Sequence, residues 1–449
     1  MKEANTKELA EQIAQRVASL GGATYYVGGY VRDFISGKES KDIDIEVHGI
    51  TPNKLSEILS AFGEPMAIGE SFGIFGIKGY SLDIAMPRKE TNRGSGHKDF
   101  QICVDPFCGT YNAALRRDFT VNALMKNVLT GEIIDHFGGR EDLNKGVIRH
   151  VNEKTFAEDP LRVLRGAQFA ARFNFTLANE TKELCKKMDL SALSKERIMG
   201  ELEKALLKSQ KPSVFFTLLR EIDKLDFWFK ELKDLIGVNQ NPKYHSEGDV
   251  WNHTMMVLDA AVKFIPFAEN ELGFMLSALT HDFGKAVCTE EIDGVIHAYN
   301  HEIKGVDLAK SFMKRLTGEK KLIEYVLNMT ELHMKPNVLA SVNASIKSTN
   351  KMFDASVDPQ GLIYIALSDG LGKIPVNDGE KNKAFLFERL EIFKEYMSRP
   401  YVMGRDLIAA GVKPGERFSE YLTFAHKLRL AGVSKEIALK QTLAIADKK

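Results

Sequence analysis

Two carboxylates, Asp42 and Asp44, lie two residues apart in a stretch that is otherwise apolar at Ile43 and Ile45. Side chains along a β-strand alternate between its faces, so a strand here would place both carboxylates on the same face. Mg²⁺ binds oxygen ligands, and two-metal sites need carboxylates that hold two cations close together. The pair therefore predicts a catalytic Mg²⁺ site. A solvated strand edge or turn is the alternative for such a pair in isolation.

A glycine pair and an arginine precede these acids in the segment Gly28-Gly29-Tyr30-Val31-Arg32-Asp33. Glycine has no side chain, so backbone N–H groups beside it can come close to phosphate oxygens. Together with the acidic pair that follows, Gly28, Gly29 and Arg32 predict a binding site for a nucleoside triphosphate and its metals.

Two further guanidinium groups stand in the block Arg116-Arg117-Asp118-Phe119-Thr120-Val121-Asn122-Ala123. Arginine binds phosphate through two parallel hydrogen bonds and keeps its charge at any working pH. Beside a metal site, Arg117 is therefore interpreted as part of a clamp on the triphosphate. Taken alone, the block would be a surface Arg–Asp pair with Asn122 as a helix cap.

A third block places Asp159, Arg162 and Arg165 at the start of a predicted helix, with Pro160 in its first turn. Proline and acidic residues both favour the first turn of a helix. Residues three apart fall within an arc of about 120° on the helix surface. A helical ion pair with solvated arginines is one interpretation of this arrangement.

The other interpretation of this block follows from the chemistry of the bases. Cytosine and adenine both offer an amino donor next to a ring-nitrogen acceptor, whereas uracil and guanine reverse that order. A fixed carboxylate at Asp159 and an arginine at Arg162 would therefore accept C and A. A wrong base would leave buried polar groups unpaired, at a cost of about 1–3 kcal/mol per group.

The composition is that of a globular protein, with 449 residues, 44% of them hydrophobic and 27% charged, and a formal net charge of zero. Any contact with nucleic acid must therefore come from a local basic surface. The four cysteines form no C-x-x-C pair, and no apolar run approaches the ~20 residues that span a bilayer. The start of the chain lacks the apolar segment of a signal peptide. We expect a cytoplasmic protein without a membrane partner.

The hydrophobic pattern predicts a small α/β head and a long helical remainder. A helix is expected over 6–20 and strands over 23–27, 43–47, 75–78 and 81–85, the last of which carries Asp83. Asp83 could be a third metal-binding carboxylate, or the partner of Arg88 in a buried salt bridge. The glycine-rich and charged stretch 88–113 predicts a mobile loop. From about residue 153 onward, helical periodicity replaces strand signals.

The order of these motifs resembles the class II CCA-adding enzymes, the bacterial tRNA nucleotidyltransferases related to bacterial poly(A) polymerase. The resemblance covers about residues 20–215 and includes a further motif that begins at Glu196-Arg197 and ends at Glu201. It implies an α+β fold in which a nucleotidyltransferase palm, with a mixed sheet and helices, precedes a helical neck and body. It also implies that tRNA, CTP and ATP are the partners.

In that family the incoming nucleotide and its metals are held by the residue types quoted above. By this resemblance Asp42 and Asp44 bind Mg²⁺ and are catalytic. The nucleotide-binding residues implied are Gly28, Gly29, Arg32, Arg117, Asp159, Arg162 and Arg165. The implied reaction is attack of the tRNA 3′-hydroxyl on the α-phosphate, with release of pyrophosphate. Gln168 stands where many relatives have another arginine.

A second group of chemical residues lies in the helical half, in the order His, His-Asp, His, His, Asp. These residues are His253, His281, Asp282, His301, His333 and Asp369. Their order resembles the HD phosphohydrolase superfamily, which implies a helical bundle with one or two divalent metals. The first metal would be bound by His253, His281, Asp282 and Asp369. His301 and His333 would complete a second position.

Imidazole and carboxylate ligands favour Mn²⁺, Fe²⁺, Ni²⁺, Co²⁺ or Zn²⁺ over Mg²⁺ alone. Metal-bound hydroxide could cleave a phosphoester, and some CCA-adding enzymes carry such a domain as a 2′,3′-cyclic phosphodiesterase and phosphatase. The alternative is a degenerate bundle that grips tRNA. The domains expected are a head over 1–150, a neck and body over 151–240, an HD domain over 241–395 and a helical tail over 396–449.

The leading hypothesis is therefore a nucleotidyltransferase that builds or repairs the 3′-terminal CCA of tRNA without a nucleic-acid template. A close alternative is a poly(A) polymerase, or an enzyme that adds only CC or only A, because these relatives share nearly every motif. A hypothesis of another class is a metal-dependent HD phosphohydrolase with a vestigial head. It predicts hydrolysis that depends on His281 and Asp282 while Asp42→Ala has no effect.

Overall fold

The computed structural model describes residues 2–40, 42–69, 74–92, 100–376 and 379–446. The chain folds into two compact units, one formed by residues Met1–Leu193 and the other by residues Ser194–Lys449. The first unit contains the sheet, and the second is almost entirely helical. The α+β fold class and the helical remainder expected from the sequence are confirmed.

The first unit contains eleven strands and eight α-helices among its described residues. In chain order they are α1 (Lys2–Ala18), β1 (Ala23–Val27), α2 (Gly29–Ile35), β2 (Ile43–His48), α3 (Pro52–Ser60), β3 (Pro65–Gly69), β4 (Ile74–Ile77), β5 (Leu82–Ala85), β6 (Arg88–Asn92), β7 (Phe100–Val104), α4 (Gly109–Leu115), β8 (Met125–Asn127), β9 (Ile133–Ile134), α5 (Gly139–Lys145), β10 (Val147–Ile148), α6 (Glu153–Ala157), α7 (Leu161–Phe173), β11 (Thr176–Leu177) and α8 (Asn179–Lys187).

Seven strands form one mixed sheet in the order β3-β4-β5-β2-β1-β8-β9. Strands β2 and β5 are parallel, and the register places Asp44 directly beside Asp83. Ile43, Ile45 and Val47 of β2 alternate with polar residues and are buried in the core that α1 and α3 share with the sheet. Because side chains alternate, Asp44 and Glu46 lie on the opposite face. The fold thus gathers acidic side chains on one surface of the sheet.

The prediction of a mobile loop over 88–113 is wrong for the described part of that stretch. Strands β6 and β7 pair antiparallel from Arg88 opposite Val104 to Asn92 opposite Phe100, and α4 begins at Gly109. The sequence does contain a strand pattern here, because Phe100, Ile102 and Val104 alternate with Gln101 and Cys103. The prediction gave more weight to the glycine and charged residues of the stretch. The turn 93–99 between these strands lies outside the described residues.

The second unit is built from helices and one small hairpin. Its elements are α9 (Lys195–Lys208), α10 (Ser213–Glu221), α11 (Lys230–Lys233), α12 (Val250–Ala261), α13 (Glu271–Thr280), α14 (Lys285–Cys288), β12 (Glu290–Ile292), β13 (Val295–His297), α15 (His301–Leu316), α16 (Lys320–Leu332), α17 (Lys335–Ser341), α18 (Ile346–Ala355), α19 (Pro359–Leu371), α20 (Glu380–Ser398), α21 (Gly404–Ala409), α22 (Phe418–Leu430) and α23 (Lys435–Ala446).

The helices of the second unit pack mainly through α12, α13, α15, α16 and α19. Helix α13 is apolar on nearly every side, as expected of a helix at the centre of a bundle. None of the helices within the described ranges has the length and hydropathy needed to cross a bilayer. The four-part domain division expected from the sequence stays a prediction.

Candidate active site and metal centre

A cavity of about 230 Å³ opens on the acidic face of the sheet in the first unit. Its lining includes Asp44 and Glu46 from β2, Asp83 from β5, and the two arginines Arg116 and Arg117. Carboxylates that could hold cations and guanidinium groups that could hold phosphates therefore face one space. Two blocks that are more than seventy residues apart in the sequence meet here.

Asp44 lies at the centre of the negative charge in this cavity. Burial raises the pKa of the Asp44 carboxyl, the neighbouring Asp83 raises it further, Arg117 lowers it, and Asp42 raises it again. A carboxylate destabilised in this way gains from a bound cation. Asp83 is exposed, so the buried salt bridge considered for it is excluded, while its place beside Asp44 suits a third metal ligand.

Asp42 precedes strand β2, which begins at Ile43, and its side chain is exposed. Asp42 is near enough to raise the pKa of the Asp44 carboxyl, but Asp42 does not line the cavity. Among the described residues, every set of three or more His, Cys, Asp or Glu ligand atoms within 4.8 Å of one another lies in the second unit. Asp42, Asp44 and Asp83 therefore do not form such a compact set.

Arg117 is held in the cavity by a buried acid that the sequence reasoning did not identify as functional. Its Nη2 lies 3.1 Å from Glu46 Oε2, and Glu46 Oε1 lies 2.9 Å from His48 Nε2. Glu46 is 1% exposed. Burial alone would raise the pKa of the Glu46 carboxyl, but Arg117 and His48 lower it to about 2. Glu46 is thus ionised and fixes the direction of the Arg117 guanidinium.

Gly28 occupies the point where the glycine motif meets this cavity. Its φ of 63° lies in the left-handed region, which other residues rarely adopt. A Cβ added there would lie 3.8 Å from both Arg117 Nη1 and Asp44 Oδ2. The predicted contact at Gly28 is therefore adjacent to the predicted metal and phosphate residues. Gly29 follows as the first residue of α2, and an added Cβ would lie 3.4 Å from Arg32 Nη2.

Arg32 lies inside the protein and is bonded to neighbouring side chains. It is 5% exposed and donates to Asp33 at 2.9–3.0 Å and to Asn122 at 2.8 Å. Its guanidinium also lies over the Phe173 ring at 4.3 Å. Burial lowers the pKa of Arg32 from its ordinary value, and Asp33 opposes that effect. A direct contact of Arg32 with nucleotide stays a prediction, but its present contacts position α2 against α7.

Asp118 connects that network to the third motif block. Its Oδ2 accepts from Arg165 Nε at 2.8 Å, and its Oδ1 accepts from Asn122 Nδ2 at 3.1 Å. Burial alone would raise the pKa of Asp118, but Arg165 and Asn122 lower it below its ordinary value. The chain of contacts from Arg165 through Asp118 and Asn122 to Arg32 joins three motifs that the sequence treats separately.

Arg162 and Asp159 are fixed at the start of α7, as the base-selection hypothesis requires. Arg162 donates to the carbonyl oxygens of Thr155 at 2.7 Å and Arg116 at 2.8 Å. Asp159 Oδ1 accepts from the Leu161 N–H at 3.1 Å. Both side chains are half-buried, so each retains an accessible surface. Gln168, six residues after Arg162 on the same helix, is buried, and its Nε2 has no hydrogen-bond partner among the described residues.

The six residues of the His and Asp series come together in the second unit, at the ends and in the middle of five helical segments. His253 lies within α12 and Asp369 within α19, while His281 and His333 directly follow α13 and α16, and His301 begins α15. All six side chains are buried, with exposures from 0% to 6%. Buried imidazoles and carboxylates in this number are costly unless they are paired or bind metal.

Asp282 lies between two groups of ligands. Its Oδ2 is 3.5 Å from His253 Nε2 and 3.3 Å from His281 Nε2, whereas its Oδ1 is 3.2 Å from His301 Nε2 and 3.9 Å from His333 Nε2. Adjacent ligand atoms around one metal with bonds near 2.1 Å lie about 3 Å apart. The spacing would therefore allow these side chains to hold divalent metals, with Asp282 in reach of both groups of imidazoles.

Each imidazole in the cluster has its second nitrogen engaged by an oxygen outside it. The Nδ1 atoms of His281, His301 and His333 donate to the carbonyl oxygens three residues before them at 2.7–2.8 Å. His253 Nδ1 lies 3.1 Å from both Glu247 Oε1 and Gly372 O. These contacts fix the tautomer and direct every Nε2 inward, as is typical of metal-binding histidines.

Three buried atoms at the centre of the cluster make no hydrogen bond of regular geometry with the described residues, although charged neighbours lie within ion-pair distance of them. They are His253 Nε2, His281 Nε2 and Asp282 Oδ2. Two lysines supply positive charge nearby, because Lys285 Nζ lies 2.7 Å from Asp282 Oδ2 and Lys373 Nζ lies 2.9 Å from Asp369 Oδ2. The donor set and its unsatisfied atoms fit one or two divalent metals.

Glu247, Lys285 and Gly284 belong to this site and were given no role from the sequence. Glu247 accepts from His253 and from His245, and it is nearly fully buried. Gly284 is required by close packing, since an added Cβ would lie 2.0 Å from the His301 carbonyl oxygen. The signal for Gly284 and Lys285 was that they follow Asp282 by two and three residues. Glu247 is brought to His253 by the fold, and no sequence signal marked it.

Two family models match the head and the residues that follow it. A family model described as the poly A polymerase head domain matches residues 24–149, and one described as a probable RNA and SrmB-binding site of polymerase A matches residues 174–236. The chain is 34% identical over 338 residues to a multifunctional CCA protein of Actinobacillus pleuropneumoniae serotype 5b (strain L20), covering 74% of this chain and 79% of that relative.

Solved structures share the fold over nearly the whole chain. One is a Thermotoga maritima CCA-adding enzyme complexed with tRNA CCA, with a TM-score of 0.64, 20% identity and coverage of 97% of this chain and 94% of the other. Another is the Bacillus stearothermophilus CCA-adding enzyme in complex with CTP, with a TM-score of 0.64, 21% identity and 98% coverage of both chains. The chain belongs to the family of class II CCA-adding enzymes.

Proposed function

We propose that this protein adds or repairs the 3′-terminal CCA of tRNA from CTP and ATP without a nucleic-acid template. The observation that carries the proposal is the cavity in which Asp44 and Asp83 face Arg116 and Arg117. Opposite charges arranged around one space are what a metal-bound triphosphate needs. Relatives named for CCA addition support this reaction over poly(A) synthesis.

In this proposal Asp42, Asp44 and Asp83 hold the divalent ions, which we take to be Mg²⁺. When bound, such ions lower the pKa of an attacking hydroxyl and neutralise charge on the leaving group. Arg117, held by Glu46, directs its guanidinium toward the phosphates. Gly28 leaves room for the triphosphate to approach the backbone.

We further propose that Asp159 and Arg162 select the base. The contacts of the Arg162 guanidinium with the carbonyl oxygens of Thr155 and Arg116 hold it in one orientation. The other N–H groups of this guanidinium are therefore fixed in position. A site built in this way rejects a base with the reversed donor and acceptor order because its own groups would lose their partners.

The test is nucleotide addition to tRNA that lacks CCA, with CTP and ATP supplied separately and together. We expect C addition from CTP alone and a complete CCA from both. Asp44→Ala should abolish addition while leaving tRNA affinity nearly unchanged, and Asp83→Ala should reduce it strongly. Untemplated A-tails on arbitrary RNA would contradict the proposal, and addition by Asp44→Ala would refute the metal assignment.

A second function is favoured by the buried cluster around Asp282. We propose that it binds one or two divalent transition metals and hydrolyses a phosphoester, as the HD resemblance implies. His253, His281, Asp282 and Asp369 would hold the first metal, and His301 and His333 would complete the second position. When bound, the metals supply an activated hydroxide. Lys285, beside Asp282, would face the anionic substrate.

The test of this second function measures bound metal and hydrolysis together. Protein prepared with Mn²⁺ or Ni²⁺ should contain about one or two metal ions per chain, since Asp282 lies between two groups of imidazoles. Asp282→Asn should lose metal and hydrolysis while CCA addition continues. Wild-type protein that binds no metal and hydrolyses no phosphoester would exclude the function and leave the bundle as a scaffold.

A further inference from the structure

Arg32 and Arg165, two of the predicted nucleotide-binding residues, are joined by two separate paths of contacts in the first unit. The first path is polar, because Arg32 Nη1 donates to Asn122 Oδ1 at 2.8 Å and Asn122 Nδ2 donates to Asp118 Oδ1 at 3.1 Å. Arg165 Nε donates to the other oxygen of Asp118 at 2.8 Å. One short segment, residues 118–122, therefore connects the two guanidinium groups.

The second path is aromatic and runs along helix α7. The Arg32 guanidinium lies over the Phe173 ring, 4.3 Å from its centroid, and the Arg165 guanidinium lies over the Phe169 ring at 5.3 Å. The two rings are stacked, with centroids 5.8 Å apart and an angle of 17° between their planes. Arg165, Phe169 and Phe173 follow one another at intervals of four residues, so they share one face of the helix. The two paths together form a closed circuit between the two arginines.

Arg32 retains donors for a ligand in spite of these contacts. A guanidinium has five N–H groups. Nε and Nη2 donate to Asp33 at 3.0 and 2.9 Å, and Nη1 donates to Asn122. Within the described part of the chain, these contacts leave one N–H on each of Nη1 and Nη2. The Phe173 ring attracts the guanidinium electrostatically without using an N–H donor, so it holds the group and keeps those donors available.

Holding the two arginines before the nucleotide arrives favours binding. A long side chain that must become ordered when a ligand binds reduces the affinity, and contacts that order it beforehand remove that cost. Arg32 is 5% exposed and held on two sides, by Asn122 and by Phe173. The hydrogen-bonded path alone would fix Arg32 to the segment 118–122 and leave its contact with α7 to Arg165.

We propose that Phe169 and Phe173 are positioning residues for nucleotide binding, which hold Arg32 and Arg165 at a fixed separation through their stacked rings. This inference deepens the proposed nucleotidyltransferase function and rests on it. The two rings act only through the arginines and contact neither metal nor substrate. Since the same arginines are assigned to CTP and to ATP, loss of the rings should weaken the binding of both nucleotides.

The first test measures nucleotide binding without turnover. Full-length protein with Mg²⁺ and without tRNA is dialysed against CTP or ATP, and Kd is determined for each. Phe173→Leu keeps an apolar side chain and removes the ring, so both Kd values should rise by roughly 2-fold to 30-fold, the range for one cation–π contact. Phe169→Leu breaks the stack at its other end and should act in the same direction. Phe173→Tyr keeps the ring at a half-buried position, where the added hydroxyl can reach water, and should bind as the wild type does.

The matched control is Phe175→Leu. The Phe175 ring is also half-buried and lies 5.8 Å from the Phe173 ring, but it stands outside the closed circuit. This variant should lose packing, measured as a lower melting temperature, and keep Kd within about 2-fold of the wild type. Equal increases in Kd for Phe173→Leu and Phe175→Leu would reduce the effect to general packing and overturn the inference.

A double variant shows whether Phe173 acts through Arg32, because the exposed Arg172 also lies over the Phe173 ring, at 5.1 Å. Phe173→Leu combined with Arg32→Ala should bind nucleotide at most about 2-fold more weakly than Arg32→Ala alone, since the ring no longer has that group to hold. Additive effects of the two substitutions would contradict the proposed path.

The second test measures steady-state addition to tRNA that lacks CCA. Phe173→Leu should raise KM for the nucleotide and leave kcat nearly unchanged, as expected when binding is lost equally from the ground state and the transition state. A fall in kcat with an unchanged KM would overturn the assignment.

The outcomes separate this inference from the function on which it rests. Wild-type protein that binds CTP and ATP but adds neither to tRNA would refute nucleotide addition, while Kd values that depend on the rings would still support the inference. If the wild type adds CCA and both Arg32→Ala and Phe173→Leu bind nucleotide normally, the function stands and the inference fails. Wild-type protein that binds neither nucleotide would overturn both.

Discussion

Glu46→Gln is the substitution that most directly tests how the head site is held together. Glu46 is buried and lies between Arg117 and His48, so its charge fixes a guanidinium that we assign to the triphosphate. Glutamine keeps the shape and most hydrogen-bonding capacity of the side chain but removes the negative charge. The substitution therefore resembles protonation of the carboxyl in the folded protein.

The magnitude follows from the pKa of Glu46, which Arg117 and His48 lower from 4.5 to about 2 despite burial. This difference corresponds to about 3 kcal/mol in favour of the charged form in the folded state. We expect Glu46→Gln to destabilise the first unit by about that amount at pH 7. Because the folded pKa is lowered, this contribution is complete above pH 4.5 and disappears as the pH falls through about 2.

The assay is hydrogen exchange measured on peptides that cover Ile43–His48, at several pH values between 7 and 3. Exchange in this strand should be faster in Glu46→Gln at pH 7, and the difference in opening free energy should shrink below pH 4.5. The matched control is Glu57→Gln, which removes an exposed partner of Lys54 and should cost no more than about 1 kcal/mol. The reasoning is refuted if both variants cost the same, or if the difference does not change with pH.

Three other substitutions test separate parts of the structure. Asp44→Asn should reduce nucleotide addition by at least about 100-fold, with tRNA binding by filter assay nearly unchanged, because a metal ligand is lost while the RNA surface is kept. Arg162→Ala should raise incorporation of UTP and GTP relative to CTP and ATP, measured by single-nucleotide extension; unchanged selectivity would exclude its role in base choice. Gly284→Ala should lower the metal content and the melting temperature of the second unit, because the new Cβ would lie 2.0 Å from the His301 carbonyl oxygen. Normal metal content in this variant would contradict the claim that Gly284 must pack closely against His301.

Much of the head could be predicted from its sequence because the chemistry there is local. Strand β2 was expected over 43–47 and is observed over Ile43–His48. The alternation that identified Asp44 also places Glu46 on the same face, so the signal for Glu46 was present. It was missed because an acid in a strand is more often solvated than buried, and only the contact with Arg117 explains its burial.

The connections between motifs could not be predicted in the same way. The network from Arg165 through Asp118 and Asn122 to Arg32 depends on how α7 packs against α2, which no spacing in the sequence encodes. The order of the His and Asp residues predicted that they would meet, but not that Asp282 would lie between two groups.

The two proposed metal sites differ in a way that follows from burial. In the head, Asp42 and Asp83 are exposed and only Asp44 is half-buried, so these carboxylates keep more contact with water. In the second unit, all six ligands are buried and four imidazoles are fixed by oxygens outside the cluster. An open acidic site suits ions that enter and leave with each nucleotide, whereas a buried and oriented set suits ions that stay. The ligands of the two sites therefore suit the two proposed functions, nucleotide addition in the head and hydrolysis in the second unit.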